Sequence, residues 1–588
     1  MTGKRRVWLA VAVALALATG AAACKRAPEA AAPSAEVARE TAEVMRDRAP
    51  TAAGAANCAT CHAAETEAWR TSQHAAAQRT ADGRPMPPGI PGEPAGWLGV
   101  APLEQALVKV ERGRIQVADP ARDTQSGAWF SVHGEDPPSA TEWGGWASRS
   151  NTWNSQCAQC HTTGFEKRYD AATDSFDSRQ QALGVACAAC HALPVDHAAH
   201  PSARVAVATG RTAACEPCHA VGESLAPAAG HDPVPFRLTD PNGYDQFADG
   251  RAREELFEVA TFRSSAMHTA GVDCLDCHDP HSGGLRAPLA ANAVCLQCHG
   301  AGAPPAGRQL ASKPPVIAAE HSHHTAGSTG AACVSCHMPA RTFMGRDSRR
   351  DHRFYTPDPA ADAARGAPEV CTGCHTDRDA VWAAATAERW WPAIRSRRAT
   401  SVATALDAVA AGEPTAVERV AARFGMERSA RERVRLLAAV APPFAGGEAL
   451  LQTALQDPSV EVRSAAIRLL GRLPAARSSL LPFRAAAVLD ERLAALWATR
   501  RDPMTAAQAA EVEAWLSLTL DDPAGAMRAA EWYQLRGNGE RALLHAKAAA
   551  AWAPSFATLR TLAAVLQANG QAAEAAEAMR QAAQRAPN

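Results

Sequence analysis

The sequence predicts a mainly α-helical fold in two parts, a loop-rich region built around a repeated five-residue motif and then an α-helical repeat domain. Two observations lead to this prediction. Sixteen of the 17 cysteines belong to the motif, and every copy lies before residue 380. After that residue the composition changes to Ala, Leu, Arg and Glu with helical periodicity. A chain of 588 residues is long enough for two or more domains.

The repeated motif is Cys-x-x-Cys-His, and it occurs eight times. The cysteines are Cys58, Cys61, Cys157, Cys160, Cys187, Cys190, Cys215, Cys218, Cys274, Cys277, Cys295, Cys298, Cys333, Cys336, Cys371 and Cys374. The histidines that follow them are His62, His161, His191, His219, His278, His299, His337 and His375.

Each part of the motif has a chemical role. Two cysteines three residues apart lie on one side of a helical turn, so both thiols can form thioethers with the vinyl groups of one haem. The adjacent histidine then reaches the iron as an axial ligand. Zinc sites and disulfide frameworks also use pairs of cysteines, but neither requires a histidine directly after the second one. The eight copies therefore predict eight covalently bound haem c groups, each with its iron.

The second axial ligand decides what each haem can do. A haem with two histidine ligands transfers single electrons, whereas an open sixth position can bind a small substrate. Eleven of the 12 histidines outside the motifs lie between His74 and His352. Our eight candidates for second ligands are His74, His133, His197, His231, His268, His281, His324 and His352. His200, His321 and His323 remain as spares, and a nearby methionine such as Met267, Met338 or Met344 stays an alternative.

Five stretches also carry a family resemblance. They are Gly99–Leu103, Trp153–His161, His268–Ser282, Cys336–Pro339 and Arg349–His352. Here the chain resembles the multihaem cytochromes related to pentahaem nitrite reductase and octahaem hydroxylamine oxidoreductase, and in particular a branch with C-terminal tetratricopeptide repeats. The resemblance covers about residues 57–385. It implies that the histidines at all eight candidate positions are sixth ligands.

The chain departs from the catalytic members of that family. Nitrite reductases attach the active haem through a motif ending in lysine, whereas all eight motifs here end in histidine. The crosslinking tyrosine of hydroxylamine oxidoreductase has no clear counterpart among the four tyrosines. After His191 the chain reads Ala-Leu-Pro-Val, where the branch has Gly-Pro-Gly-Ser, which weakens the assignment of His197. We therefore expect no catalytic residues of either known type.

The N-terminus resembles an export signal. Lys4, Arg5 and Arg6 precede a short apolar run, and small residues end at Ala23. We expect residues 1–23 to be a signal peptide and residues 24–56 a flexible tether. Cys24 would be the lipidated first residue of a bacterial lipoprotein, held at a membrane in the periplasm or on the outer surface. The alternative is ordinary cleavage after Ala23, which leaves Cys24 as a free thiol.

The boundaries of the two main parts follow from the composition. We expect a haem domain at 57–380 and a helical repeat domain at 381–588. The latter would be HEAT-like at about 430–500, where Asp457-Pro458 should begin a helix. It would be tetratricopeptide-like at about 522–588, where 536–554 aligns with 569–587 at a period of 33. Such repeats serve as partner-docking surfaces or as plain structural caps.

The sequence favours a function in electron transfer between redox partner proteins. The net charge of −1 gives no indication of nucleic-acid binding. One alternative is a haem-dependent reductase or oxidase of a small nitrogen or sulfur compound. A third interpretation is a scaffold whose helical domain is the primary functional part.

Two strands are also predicted, from the alternating runs at 107–110 and 114–117.

Overall fold

The computed structural model describes residues 58–191, 197, 213–226, 235–241, 244–300, 310, 315–441, 444 and 446–586. The expected signal peptide, the tether, Cys24, His200 and His231 lie outside these residues. All described residues belong to one compact unit that extends from residue 45 to the end of the chain.

The strands are short and lie in the first 350 residues. They are β1 Gln78–Arg79, β2 Glu93–Leu98, β3 Leu103–Lys109, β4 Ile115–Val117, β5 Ala121–Asp123, β6 Trp129–Phe130, β7 Thr162–Thr163, β8 Tyr169–Asp170, β9 Ser175–Phe176, β10 Ala182–Leu183, β11 Gly222–Ser224, β12 Phe236–Leu238, β13 Ala340–Phe343 and β14 Asp347–Arg350. Strands β1 to β6 form one antiparallel sheet in the order β1-β2-β3-β5-β6, with β4 also paired to β3. The remaining strands form two-stranded hairpins or pairs.

Both strands predicted from alternation are confirmed as β3 and β4. Leu107 and Val108 are both buried because the two faces of the sheet each pack against other residues. On one face Leu107 packs with Trp153, which precedes the second motif. On the other face Val108 packs with Trp97, whose ring centroid lies 6.4 Å from that of Trp129. The sheet therefore supports the chain that enters the second motif.

The helices of the motif region are short. They are α1 Ala63–Arg70, α2 Trp153–Gln156, α3 Ala158–His161, α4 Phe257–Arg263, α5 Ala266–Thr269, α6 Cys274–Cys277, α7 Ala293–His299, α8 Ala318–Ser322, α9 Cys333–His337 and α10 Pro359–Ala364. Several contain or adjoin a motif, as expected from the helical turn that the motif needs.

The C-terminal part consists of longer helices. They are α11 Ala380–Trp390, α12 Ile394–Ala399, α13 Val402–Ala410, α14 Ala416–Met426, α15 Ala430–Ala439, α16 Glu448–Ala454, α17 Val460–Leu470, α18 Leu489–Ala498, α19 Ala506–Ser517, α20 Pro523–Leu535, α21 Gly539–Trp552, α22 Phe556–Ala568 and α23 Ala572–Ala583. A 3-10 segment, Pro474–Ala485, separates α17 from α18. The main apolar core is formed by side chains of helices α13 to α18 and of the 3-10 segment.

One helix start differs from the prediction. Helix α17 begins at Val460 with Ser459 as its N-cap, two residues later than expected. The Asp457 carboxylate instead accepts a hydrogen bond from the Ser459 amide at 2.8 Å, so Asp457 and Pro458 form the turn before the helix. Val462 and Leu470 of this helix are fully buried.

The last four helices form two similar pairs. Helices α20 and α22 begin 33 residues apart, and so do α21 and α23. Gly537 and Gly570, which match at that period, both have positive φ, of 74° and 79°. A residue in this left-handed conformation ends a helix and turns the chain toward the next one, and glycine adopts it without strain.

The C-terminal helices contact the motif region at many points from α11 to α21. The hairpin of β11 and β12 inserts Leu225 into an apolar cluster with Leu493 and Trp515. Arg237 of β12 forms an ion pair with Asp490 of α18 at 2.5 Å. Contacts of this kind come from successive helices, so the two parts of the chain share a core.

Charged groups extend the same interface at both ends. Lys167 lies 2.7 Å from Asp521 and also donates to the Leu518 carbonyl at 2.7 Å. The Arg149 guanidinium lies over the Trp552 ring, 4.1 Å from its centroid. Removing one partner of a buried ion pair is destabilising, because the remaining buried charge then has no partner. The inner surface of the C-terminal helices therefore binds the chain's own motif region.

Among the residues that the structure describes, no helix combines the length and the apolar character needed to cross a membrane.

Replacing Leu225 with alanine should destabilise the whole compact unit, because this side chain is 3% exposed and joins the two parts of the chain. Truncation of a buried leucine costs about 2–5 kcal/mol. Thermal unfolding followed by far-UV circular dichroism should show a clear fall in Tm. The matched control is Leu544→Ala, at a residue 39% exposed on α21, which should change Tm little. Equal Tm values for the two variants would show that Leu225 does not join the two parts.

Candidate haem-binding site

Each motif begins a tight helical turn. In six motifs the histidine amide donates to the carbonyl of the first cysteine, at N···O distances of 2.8–3.1 Å. The other two motifs lie within helices α7 and α9. This local geometry brings the two cysteines and the histidine onto one turn, as haem attachment requires. None of the sixteen described cysteines forms a disulfide.

Among the residues that the structure describes, six of the motif histidines lie opposite a second histidine. The pairs are His62 with His197, His219 with His74, His191 with His281, His278 with His352, His337 with His321, and His375 with His324. The distances between ring centroids are 6.3, 6.2, 6.3, 6.4, 6.1 and 6.1 Å in the same order.

This narrow range of distances fits one metal ion between two imidazoles. A metal–imidazole bond is about 2.0–2.1 Å long, and the ring centroid lies ~1.1 Å beyond the nitrogen, so two rings on one ion are separated by roughly 6.2–6.4 Å. All six measured distances lie in or within about 0.1 Å of that range. Direct ring stacking would bring two imidazoles much closer. The residues present therefore fit haem iron with two histidine ligands.

The histidine pairs connect distant parts of the chain. His74, which follows the first motif, lies opposite the histidine of the fourth. His197 follows the third motif and lies opposite the first. His281 follows the fifth motif and lies opposite the histidine of the third. His352 follows the seventh motif and lies opposite the histidine of the fifth. Each of these second histidines thus faces a motif other than the one it follows.

Five of the eight candidate second ligands lie in such pairs: His74, His197, His281, His324 and His352. The ring of His268 packs edge-on against Phe262, at 5.4 Å between centroids. His133 is exposed on a loop, and its amide donates to the Ser131 hydroxyl. The assignments of all eight candidates as iron ligands remain predictions, including those of His133, His231 and His268.

His321 is a functional candidate that the sequence analysis kept only as a spare. It lies in the cluster His321-Ser-His323-His324, where three histidines occur within four residues. Helix α8 carries His321 toward His337, and the left-handed conformation of His323 (φ 57°) turns the chain so that His324 reaches His375 instead. His323 itself stacks on Trp390, at 4.5 Å between centroids. No periodicity in so short a segment distinguishes the three.

Hydrogen bonds fix the orientation of several of these rings. Nδ1 of His161 donates to the Ala77 carbonyl, and Nδ1 of His337 donates to the Tyr355 carbonyl, both at 2.8 Å. Such a bond leaves Nε2 without a proton and able to bind a metal. Burial lowers the pKa of His161 and His337, which favours the neutral, metal-binding form.

A carboxylate binds the histidine of the fourth motif. Nδ1 of His219 donates to Oε2 of Glu258 at 3.2 Å. Burial alone would raise the pKa of Glu258, but the hydrogen bond that it accepts from His219 lowers it below its ordinary value. Glu258 is therefore ionised at neutral pH.

Neighbouring motifs are in direct contact. The Sγ atom of Cys160 in the second motif lies 3.5 Å from the Pro217 carbonyl oxygen of the fourth. Gln297 of the sixth motif donates to the Asp276 carbonyl of the fifth at 3.0 Å. These contacts place the attachment sites of different haems side by side.

Two further hydrogen bonds extend this arrangement. The Cys333 amide, at the start of the seventh motif, donates to Asn292 just before the sixth at 2.9 Å. The Trp69 indole, after the first motif, donates to the Val185 carbonyl just before the third at 2.7 Å. The motifs therefore form a connected array.

Two family profiles match the chain. The profile of cytochrome c554 and c-prime matches residues 57–86 and 131–192, and the doubled CXXCH motif matches residues 267–304. Together with the eight motifs, these matches show that the chain is a multihaem c-type cytochrome with covalently bound haem.

Among solved structures, the chain is similar to the outer cell wall cytochrome OcwA. The sequences are 18% identical, the TM-score is 0.41, and the match covers 70% of this chain and 96% of that one. No curated protein sequence matches the chain.

Replacing His321 with asparagine should remove one axial nitrogen from the haem attached at Cys333 and Cys336. That iron should become high-spin, and electron paramagnetic resonance should show a new high-spin signal worth one haem. The matched control is His323→Asn, because asparagine tolerates the left-handed conformation of that position. The control should leave the spectrum unchanged. A high-spin signal in the control variant instead would show that His323, not His321, is the ligand.

Proposed function

We propose that this cytochrome carries eight haems and transfers electrons between redox partner proteins in the cell envelope. The six histidine pairs, at 6.1–6.4 Å, support this most directly. A haem c iron held by two histidines has no open position for a substrate and cycles between its ferric and ferrous states by one electron. Within the described part of the chain, six motifs have such a pair.

The chain's own residues keep the attachment sites close to each other. The contacts between Cys160 and Pro217 and between Gln297 and Asp276 join motifs that are not adjacent in the sequence or that lie on separate helices. Because each second histidine follows a motif other than the one that it faces, the fold sets the order of the sites in this proposal. Such an array supports transfer across the molecule.

In this proposal the C-terminal helices support the haem region. Their HEAT-like and tetratricopeptide-like character is supported by the 33-residue offset between the last two helix pairs. The surface that faces the motif region is covered by contacts such as Arg237–Asp490 and Lys167–Asp521. Docking of a redox partner on these repeats would therefore use the outward surface.

Export and membrane anchoring complete the proposal. They rest on the basic N-terminus, the short apolar run and the position of Cys24 after Ala23. A lipidated Cys24 would hold the cytochrome at a membrane surface through several acyl chains. The link to the nitrite reductase and hydroxylamine oxidoreductase superfamily rests on the resemblance described above.

One observation favours a second candidate function. His161, of the second motif, is not in any of the histidine pairs within the described residues, although its Nδ1 is oriented by Ala77. If the haem at Cys157 and Cys160 has an open sixth position, the protein is a reductase or oxidase of a small nitrogen or sulfur compound. Electron transfer through the other haems would then serve that site.

Low-temperature electron paramagnetic resonance of the oxidised protein separates the two functions. The pyridine haemochrome assay should first give eight haems per chain. We predict low-spin signals that account for the haems, because two strong-field nitrogen ligands give low-spin iron. A high-spin signal worth one haem that changes on adding nitrite or hydroxylamine would contradict pure electron transfer and support the enzyme.

A further inference from the structure

The histidine of the fourth motif differs from three other paired histidines in its hydrogen-bond acceptor. His219 donates to the carboxylate of Glu258 at 3.2 Å. By contrast, Nδ1 of His337 donates to a neutral backbone carbonyl, and so do the second histidines His324 and His352. A full negative charge thus contacts one histidine, whereas three others contact only peptide dipoles.

The backbone holds Glu258 in this position. It is the second residue of α4, and the amide of the next residue, Val259, donates to the His219 carbonyl at 3.0 Å. Phe257, which begins the helix, has a φ of 53°, a conformation that costs energy for a bulky side chain. Its amide donates to the Glu255 carboxylate at 3.1 Å. The strained start of α4 therefore directs Glu258 to the motif.

We propose that Glu258 is a positioning residue that lowers the reduction potential of the haem attached at Cys215 and Cys218. A carboxylate acceptor makes the imidazole more basic and adds negative charge near the iron. Both effects stabilise the ferric iron, which carries one more positive charge than the ferrous iron. This inference rests on the proposed two-histidine ligation, and it makes this haem harder to reduce than it would be with a neutral acceptor.

The geometry of the same pair provides a spectroscopic label. The imidazole planes of His74 and His219 lie at 73° to each other, whereas the other five pairs lie between 14° and 40°. Nearly perpendicular imidazoles give a low-spin ferric signal with an unusually large g value. The haem of the fourth motif can therefore be followed separately from the haems of the other five pairs.

The test is a potentiometric titration of the full-length protein, in which dithionite supplies the electrons and the large-g signal is measured at each potential. Glu258→Gln keeps an oxygen acceptor but removes the charge. We expect the midpoint potential of that signal to rise by at least 59 mV, a tenfold change in the one-electron equilibrium constant. The matched control is Glu254→Gln, at an exposed carboxylate four residues earlier in the sequence.

The control should shift the midpoint by a much smaller amount, because His219 donates its hydrogen bond to Glu258 and not to Glu254. Haem content from the pyridine haemochrome assay should be the same in both variants. A large-g signal whose midpoint moves equally in both variants would overturn the role of Glu258 while leaving the ligation intact. Absence of the large-g signal from the unmodified protein, with a high-spin signal in its place, would overturn the ligation of this haem and the inference together.

Discussion

Two imidazoles that share one iron must lie at a fixed separation, and most of the motif region depends on that constraint. The pairs join residues as far apart in sequence as His74 and His219. Closing loops of this length costs chain entropy, which short strands and four-residue helices do not recover. In the proposed ligation the iron–histidine bonds and the apolar porphyrin faces supply that stabilisation. The motif region should therefore fold only as haem is attached.

The C-terminal helices provide the second source of stability. They form their own apolar core, and they also bind the β11–β12 hairpin through Leu225 and Arg237. A surface that helical repeats in general use to bind partners is here used to bind another part of the same chain. The tail thus supports the region that carries the fourth motif. Its effect on the haems is indirect, through the position of the backbone that holds them.

The attachment residues were predictable from the sequence because each motif is local: five consecutive residues carry the whole signal. The alternation that predicts β3 and β4 is also local. The second histidines are different, because the choice among His321, His323 and His324 depends on a left-handed residue and on where His337 and His375 lie in the fold. The contact between Glu258 and His219 was likewise not predictable, since 39 residues separate them. The packing of the tail on the hairpin depends on pairs separated by 253 residues or more, such as Arg237–Asp490.

X-ray diffraction measured at the iron absorption edge tests the central claim most directly, because anomalous scattering locates each iron without reference to the chain. The eight motifs predict eight iron sites, and the histidine pairs predict that six of these lie midway between the two rings of a pair, including His337 with His321 and His219 with His74. Fewer than eight sites, or irons bound between other histidines, would contradict the proposed ligation.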